Sequence, residues 1–166
     1  MFSSKMLQYS AASFIIKGQI MANYHLAILK RPYIDMILDG SKTVESRFTI
    51  TMRAPFGQIF EGDELFIKQS SGPVCAMAKV RQVKTFENLT PKEILKIKQL
   101  YNKDILASAE YWQSKMDCKF GILIRLKDVT AIKPIHISKK DWRAWVVLTE
   151  KANFGLLSMN FPSAAW

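Results

Sequence analysis

The amino-acid sequence predicts an α+β protein built on a small mixed or antiparallel β-barrel with flanking helices. Two observations carry this prediction. Several short apolar runs are separated by turn-forming residues, and one longer stretch between them has helical spacing and a helix cap. The chain has 166 residues, which is enough for one domain with a substantial core.

We expect the folded domain to cover residues 21–148. Residues 1–20 contain no acidic residue and several serines, and their apolar piece is shorter than the core of a signal sequence. They are predicted to be a poorly ordered N-terminal extension. Residues 149–166 end in "NFPSAAW" and are predicted to be a C-terminal tail. Between these ends the sequence has no linker, repeat or low-complexity segment.

The first half of the domain predicts a strand, a short helix and further strands. "YHLAILK" predicts a buried strand over 24–30, and "RPYIDMILDG" predicts a helix with Pro32 in its first turn and Gly40 at its end. "KTVESRFTI" and "GDELFIK" predict the next two strands. In a strand predicted over 74–86, alternation places four side chains on one face: Val74, Ala76, Ala78 and Val80.

A helical region and two strands complete the domain. Thr90 and Glu93 form a T-x-x-E capping box, which predicts that a helix begins there. We expect this helix to end near Asn102 and a second helix to carry Trp112. "FGILIRLKDVTAI" and "DWRAWVVL" then predict two more strands.

The composition narrows the classes of function. With 24 Lys+Arg against 14 Asp+Glu the net charge is +10, and the excess lies in the predicted domain, so a polyanion such as nucleic acid is the expected partner. A basic surface that serves only solubility is the alternative. Two cysteines and two histidines without metal-ligand spacing argue against a zinc site, a disulfide scaffold and a Ser-His-Asp triad. We expect a cytoplasmic protein with no metal, no cofactor and no membrane partner.

The stretch "DGSKTVESR" concentrates groups that bind anions and accept protons. In an extended strand Thr43, Glu45 and Arg47 share one face, and Lys42 at the preceding bend can turn towards Glu45. An arginine binds a phosphate or a base edge at two points, and a carboxylate accepts hydrogen bonds or a proton. The alternative interpretation is a solvated strand face whose charges pair with one another.

Gly40, Lys42, Glu45 and Arg47 fit the pattern G-x-K-x-x-E-x-R, which resembles the signature of the ASCH (activating signal cointegrator homology) family. "LKRPYIDMILDG", "GDELFIK", "SGPVCAMAKV" and "FGILIRLKDV" follow in the order of that family, over about residues 24–148. The resemblance implies a PUA-like fold with the pattern facing a cleft that binds RNA or modified bases. Some bacterial members are hydrolases, and amide-hydrolysing members have a threonine nucleophile where this chain has Glu45.

Further side chains are candidates for the same cleft. Hydroxyl and ammonium groups at a strand end are able to hold a phosphate, and aromatic side chains next to cations are able to stack on bases. The alternative for the hydroxyl groups is an ordinary turn, and the alternative for the aromatic side chains is the hydrophobic core. Of the two tryptophans in "DWRAW", we expect Trp145 in the barrel and Trp142 at its rim. The ligand-binding candidates beyond the pattern itself are Lys68, Ser70, Ser71, Arg53, Tyr111, Trp112, Trp142 and Arg143, with Lys30, Arg31, Lys139 and Lys140 as further phosphate contacts.

The sequence therefore predicts a domain that binds RNA or a modified nucleoside or nucleotide. The first alternative is a hydrolase that acts on RNA or on acylated cytidine-type nucleosides, with Lys42 and Glu45 as its catalytic groups. The second alternative is a protein-interaction module in transcription or translation control.

Overall fold

The computed structural model describes residues 22–159, together with the backbone of residues 15–16 and 19–20. Strands β1 (Ile15–Ile16) and β2 (Gln19–Ile20) form a short antiparallel hairpin. The rest of the predicted extension over 1–20, and residues 160–166 of the predicted tail, lie outside the described residues. No helix in the described part is long and apolar enough to cross a membrane.

Six longer strands and three helices make up the body of the domain. The strands are β3 (Tyr24–Leu29), β4 (Val44–Thr49), β5 (Glu64–Gln69), β6 (Val74–Phe86), β7 (Phe120–Ile135) and β8 (Trp145–Leu148). The helices are α1 (Arg31–Leu38), α2 (Pro91–Ile105) and α3 (Ala109–Gln113), and a 3₁₀ turn (Leu156–Ser158) follows β8.

The six strands form one curled sheet in the order β4-β7-β6-β5-β3-β8. Only β3 and β5 run parallel among these pairs, and the other neighbours are antiparallel. Strands β4 and β8 are therefore the two edges of a half-barrel. This architecture confirms the predicted α+β class with a small mixed barrel and helices beside it.

Three apolar clusters hold the sheet and its helices together. Inside the curl, Ile122 and Ile124 of β7 pack with Ile34 and Ile37 of α1. On the outside of β4 and β7, helices α2 and α3 cover a second cluster around Trp112. The third cluster lies on the other face of β3, β5 and β8 and contains Leu26, Phe66, Val146 and Leu156.

Helix boundaries show where local signals are reliable. The capping box is present, because the Thr90 side chain accepts from the Glu93 N–H and the Glu93 carboxylate accepts from the Thr90 N–H. The predicted break at Asn102 is wrong, and α2 continues to Ile105. The Asn102 side chain instead reaches forward, where its oxygen accepts from the Ala107 N–H and from the indole N–H of Trp112.

Two other local predictions change in the structure. The strand predicted over 141–148 begins only at Trp145, because the charged segment before it forms a turn. In β6 the register shifts between Val74 and Ala76, so Val74 packs in the outer cluster while Ala76, Ala78 and Val80 lie inside the curl. Beyond the predicted boundary at 148, Leu156 is fully buried against the outer face of the sheet.

Candidate functional site

A cavity of about 790 Å³ lies where the two edges of the half-barrel approach each other. Its walls come from β4, the end of β3, the start of β8 and the segment from the end of α2 through α3. The "DGSKTVESR" stretch supplies four of the lining residues: Lys42, Glu45, Ser46 and Arg47. Strand β4 turns Glu45 and Arg47 into the curl, because their alternate neighbours Val44 and Phe48 pack outside under α2 and α3.

Glu45 is buried between two cations. Its Oε1 lies 3.0 Å from Nε of Arg47, and its Oε2 lies 3.5 Å from Nζ of Lys42. A buried carboxylate needs such partners, because an unpaired charge is strongly disfavoured away from water. Both carboxylate oxygens are engaged, so this geometry suits Glu45 to hold the two cations in place.

The ammonium group of Lys42 has three partners inside the protein. Nζ donates to the Val44 carbonyl at 2.8 Å and to the Ile105 carbonyl at 2.6 Å, and the Glu45 carboxylate is the third partner. Burial lowers the pKa of Lys42 from its usual value, and the charge of Glu45 offsets part of this effect. Since Ile105 is the last residue of α2, Lys42 closes the carboxyl end of that helix against β4.

Of the two cations in the G-x-K-x-x-E-x-R pattern, Arg47 is the one whose hydrogen-bond donors are not all used within the described chain. One terminal nitrogen, Nη2, donates to the Ile28 carbonyl at 3.2 Å, and the guanidinium lies 5.4 Å from the centre of the Trp145 ring. Nε lies close to Glu45 but makes no aligned hydrogen bond, and within the described chain Nη1 has no hydrogen-bond partner either. The side chain is 19% exposed, on the wall of the cavity. A ligand in the cavity can therefore accept hydrogen bonds from a preoriented guanidinium.

A buried chain of hydrogen bonds holds Trp145, whose ring lies next to Arg47. The Trp145 indole N–H donates to Nδ1 of His25 at 3.2 Å, and Nε2 of His25 lies 3.1 Å from the Asp63 carboxylate. Nδ1 thus accepts the indole hydrogen bond, and Nε2 faces the carboxylate. Asp63 also accepts from the backbone N–H groups of Asn23 and Phe60, which holds this chain of hydrogen bonds at the start of β5.

Two hydroxyl groups line the wall on the α3 side. The Ser46 Oγ and the Tyr111 hydroxyl are 2.8 Å apart. Burial raises the pKa of Tyr111 well above its usual range, so the phenol stays protonated and remains a hydrogen-bond donor. The Lys115 ammonium lies over the Tyr111 ring, 5.1 Å from its centre.

A hydrogen-bonded turn carries Trp142 at the mouth of the cavity. The Asp141 carboxylate accepts from the backbone N–H, Nε and Nη2 of Arg143 and from Nζ of Lys139. These bonds, the one from Arg143 first, lower the pKa of Asp141. Trp142, at the tip of this turn, is fully exposed.

The cavity has a positive lining. Six cationic side chains and two carboxylates line it, so anionic or electron-rich ligands are favoured there. The cations are Lys30, Lys42, Arg47, Arg53, Lys115 and Arg143, and the carboxylates are Glu45 and Glu110.

A family model of the ASCH domain matches residues 28–149 of this chain. The chain belongs to the ASCH family. Among solved structures it is similar to the ASCH protein of Zymomonas mobilis, with a TM-score of 0.62 and 16% identity over 82% of this chain and 94% of that chain. A mutant of the same protein gives a TM-score of 0.61 at 16% identity, over 82% of this chain and 97% of that chain. No curated protein matches this chain in sequence.

The ASCH match confirms the family predicted from the G-x-K-x-x-E-x-R pattern and, with the curled sheet, the PUA-like α+β fold. At 16% identity the similarity to the Zymomonas mobilis protein shows the fold alone. The roles of the side chains in the cavity therefore have to be argued from the geometry of this chain.

The cavity of this ASCH domain brings together only some of the predicted site residues. Lys42, Glu45, Arg47, Arg53, Tyr111, Trp142 and Arg143 line it, as does Lys30. Five predicted ligand-binding residues do not: Thr43, Lys68, Ser70, Ser71 and Trp112. Nor do Arg31, Lys139 and Lys140.

The residues outside the cavity have other partners. Lys68 donates to the Gln69 and Gly72 carbonyls and closes the turn that holds Ser70 and Ser71. Thr43 faces Arg125 at 3.4 Å. Trp112 is fully buried and its indole N–H is bonded to Asn102, so it contributes to the core.

Sequence reasoning did not select Ser46, Lys115 or Tyr33 as cavity residues. Ser46 lies in the pattern itself, but alternation assigned it to the opposite face of β4. Tyr111 and Lys115 are four residues apart, the spacing of helical neighbours, and this signal could have been used. The Tyr33 ring, 5.5 Å from Nζ of Lys42, had no comparable signal.

Proposed function

We propose that this ASCH domain binds RNA, or a modified nucleoside within RNA, in the cavity beside Arg47. One observation carries the proposal: a guanidinium with unused donors lies on the wall of a cavity whose lining has an excess of positive charge. The cavity volume of about 790 Å³ falls within the range of small-ligand sites, about 300–1,000 Å³. The RNA-binding-like character of the ASCH family supports the same conclusion.

Arg47 provides the central contact in this proposal. Its Nη1, which has no partner within the described chain, can donate to an acceptor in the cavity, either a base carbonyl or a phosphate oxygen, while Nε stays buried beside Glu45. Glu45 and Trp145 hold the guanidinium from two sides, so little side-chain freedom is lost when the ligand binds. The hydroxyls of Ser46 and Tyr111 offer a second polar edge.

The cations at the mouth provide contacts to the sugar-phosphate backbone. Lys30, Arg53 and Arg143 are exposed, and Lys115 is partly exposed beside the aromatic ring of Tyr111. Contacts of this kind position a nucleic acid without reading its sequence. They also make binding depend on salt, because each neutralised phosphate releases counterions.

The test is a titration of short fluorescent single-stranded RNA at low salt, followed by anisotropy, with wild type and two arginine variants. Arg47→Ala removes the cavity donor. Arg81→Ala removes the same charge from an exposed position on β6 outside the cavity. Loss of a charged hydrogen bond is worth about 1.5–3 kcal/mol, so Arg47→Ala should weaken binding about 10- to 150-fold. Arg81→Ala should change it by no more than the general effect of one positive charge.

Salt and fold controls complete the experiment. Binding by the wild type should fall steeply as salt is raised, and circular dichroism should show that Arg47→Ala remains folded. Arg47→Lys, which keeps the charge but loses the planar fork, should fall between wild type and Arg47→Ala. Equal losses in Arg47→Ala and Arg81→Ala would show that RNA contacts the basic surface and not the cavity. An absence of RNA binding at low salt would also contradict the proposal.

A further inference from the structure

Trp142 is the largest apolar side chain that the described domain leaves wholly in solvent. It lines the mouth of the cavity that Arg47 and Trp145 also line. Tryptophan is highly buried on average, and exposed apolar groups next to a cavity mark contact surfaces. The other rim loop also exposes apolar side chains, since Ile50 and Met52 are more than half exposed and lie just before Arg53.

The turn that carries Trp142 is tied by several hydrogen bonds. Asp141 accepts hydrogen bonds from the backbone and side chain of Arg143, and Lys139 donates to both the carboxylate and the carbonyl of Asp141. The Lys139 side chain is almost buried, at 6% exposure. The indole is therefore presented by a closed ring of hydrogen bonds, and an aromatic group with few free torsions binds with little loss of conformational entropy.

We propose that the ligand is single-stranded RNA of at least two nucleotides, with one base in the cavity and its neighbour stacked on the Trp142 indole. This inference rests on the proposed function and extends it from a nucleoside to a strand. Because Trp142 is fully exposed, a mononucleotide held against Arg47 would leave most of the indole in solvent, and a duplex keeps its base faces stacked within the helix. Unpaired bases, in contrast, stack on exposed aromatic rings irrespective of sequence. Arg143, next to Trp142 and 62% exposed, would contact the phosphate that joins the two nucleotides, with its Nη1 free of the bonds that Nε and Nη2 make to Asp141.

The experiment compares ligands of different length on three variants. Tetranucleotides of adenosine, cytidine and uridine, the corresponding 5′-monophosphates and a self-complementary duplex are titrated by calorimetry into wild type, Trp142→Ala, Trp142→Phe and Leu95→Ala. Leu95 is the matched control, because it is an exposed apolar side chain near the start of α2, away from the cavity.

The expected result is a loss of affinity that is large for the single-stranded tetranucleotide. Trp142→Ala should weaken binding of the tetranucleotide by about 5- to 150-fold, the range for one stacked base, and should weaken binding of the monophosphate by a much smaller factor, because the indole lines only the mouth of the cavity. Trp142→Phe should recover most of this loss, Leu95→Ala should match wild type, and the duplex should bind more weakly than the single strand.

The outcomes separate this inference from the proposed function. If Arg47→Ala weakens binding while Trp142→Ala leaves the tetranucleotide unchanged, the cavity binds nucleotides and the stacking inference is overturned. Equal affinity for monophosphate and tetranucleotide, or for duplex and single strand, would overturn it as well. If neither ligand binds wild type, the proposed function itself fails.

Discussion

Lys42 connects two elements of the fold, β4 and the end of α2, through one ammonium group. It bonds to β4 at Val44, to the end of α2 at Ile105 and to the carboxylate of Glu45. The partner at Ile105 is 63 residues away in the chain. The pattern predicted that Lys42 lies near Glu45, because the two residues are close in sequence. It did not predict the contact with the end of α2, because Ile105 is distant in sequence.

Lys42→Met should destabilise the protein by about 3–5 kcal/mol, because removing one partner leaves a buried carboxylate and two carbonyls under-satisfied. Urea unfolding followed by far-ultraviolet circular dichroism measures the change. The double variant Lys42→Met with Glu45→Gln should be less destabilised than Lys42→Met, since the buried negative charge is gone. A Lys42→Met protein as stable as wild type would show that the ammonium does not join these elements.

The stability difference between wild type and Lys42→Met should also depend on pH. Burial lowers the pKa of Lys42 from its usual 10.5, so the folded chain binds fewer protons than the unfolded chain between the lowered pKa and 10.5. The free energy of unfolding that Lys42 contributes therefore rises as pH increases through this interval. The gap should widen towards pH 10.5, and a gap that narrows would contradict the burial of this ammonium.

At the scale of elements, a signal between two neighbouring residues located the start of α2, and its end was not predicted. The capping box of α2 needs only Thr90 and Glu93, so the sequence located the helix start. At the end of α2 the Asn102 side chain accepts hydrogen bonds from Ala107 and Trp112. The spacing of apolar residues in a helix does not predict these bonds. The segment after β8 was predicted to be a tail, although its Leu156 is buried among side chains from distant strands.

The adjacent residues Leu156 and Leu157 test whether this segment belongs to the fold. Leu156 is fully buried and Leu157 is 36% exposed. Leu156→Ala should lower the free energy of unfolding by about 2–5 kcal/mol, the usual effect of a buried leucine. Leu157→Ala, the same change one position later, should cost less than about 1 kcal/mol. Thermal and urea unfolding measure both, and equal small effects would show that residues 149–159 do not stabilise the domain.

At the scale of the whole molecule, the half-barrel and the charge act together. The edges β4 and β8 make no backbone ladder with each other, and the Arg47 side chain bridges them by binding the Ile28 carbonyl of β3 and lying over the Trp145 ring of β8. The gap that remains is the cavity, and the cations at its mouth form part of the net charge of +10. The composition predicted that the surface is basic. Which basic residues line the same cavity depends on how the sheet curls, and the composition does not predict this.

The most direct measurement is a crystal structure of the wild-type domain with a four-nucleotide RNA. It tests the central claim that Arg47 and the cavity hold a nucleotide. The account predicts density for one nucleotide in the cavity, with a base or phosphate oxygen within about 3.2 Å of the Arg47 guanidinium. Density for the RNA on the outer face of the sheet, with the Arg47 guanidinium contacting no part of it, would contradict the account.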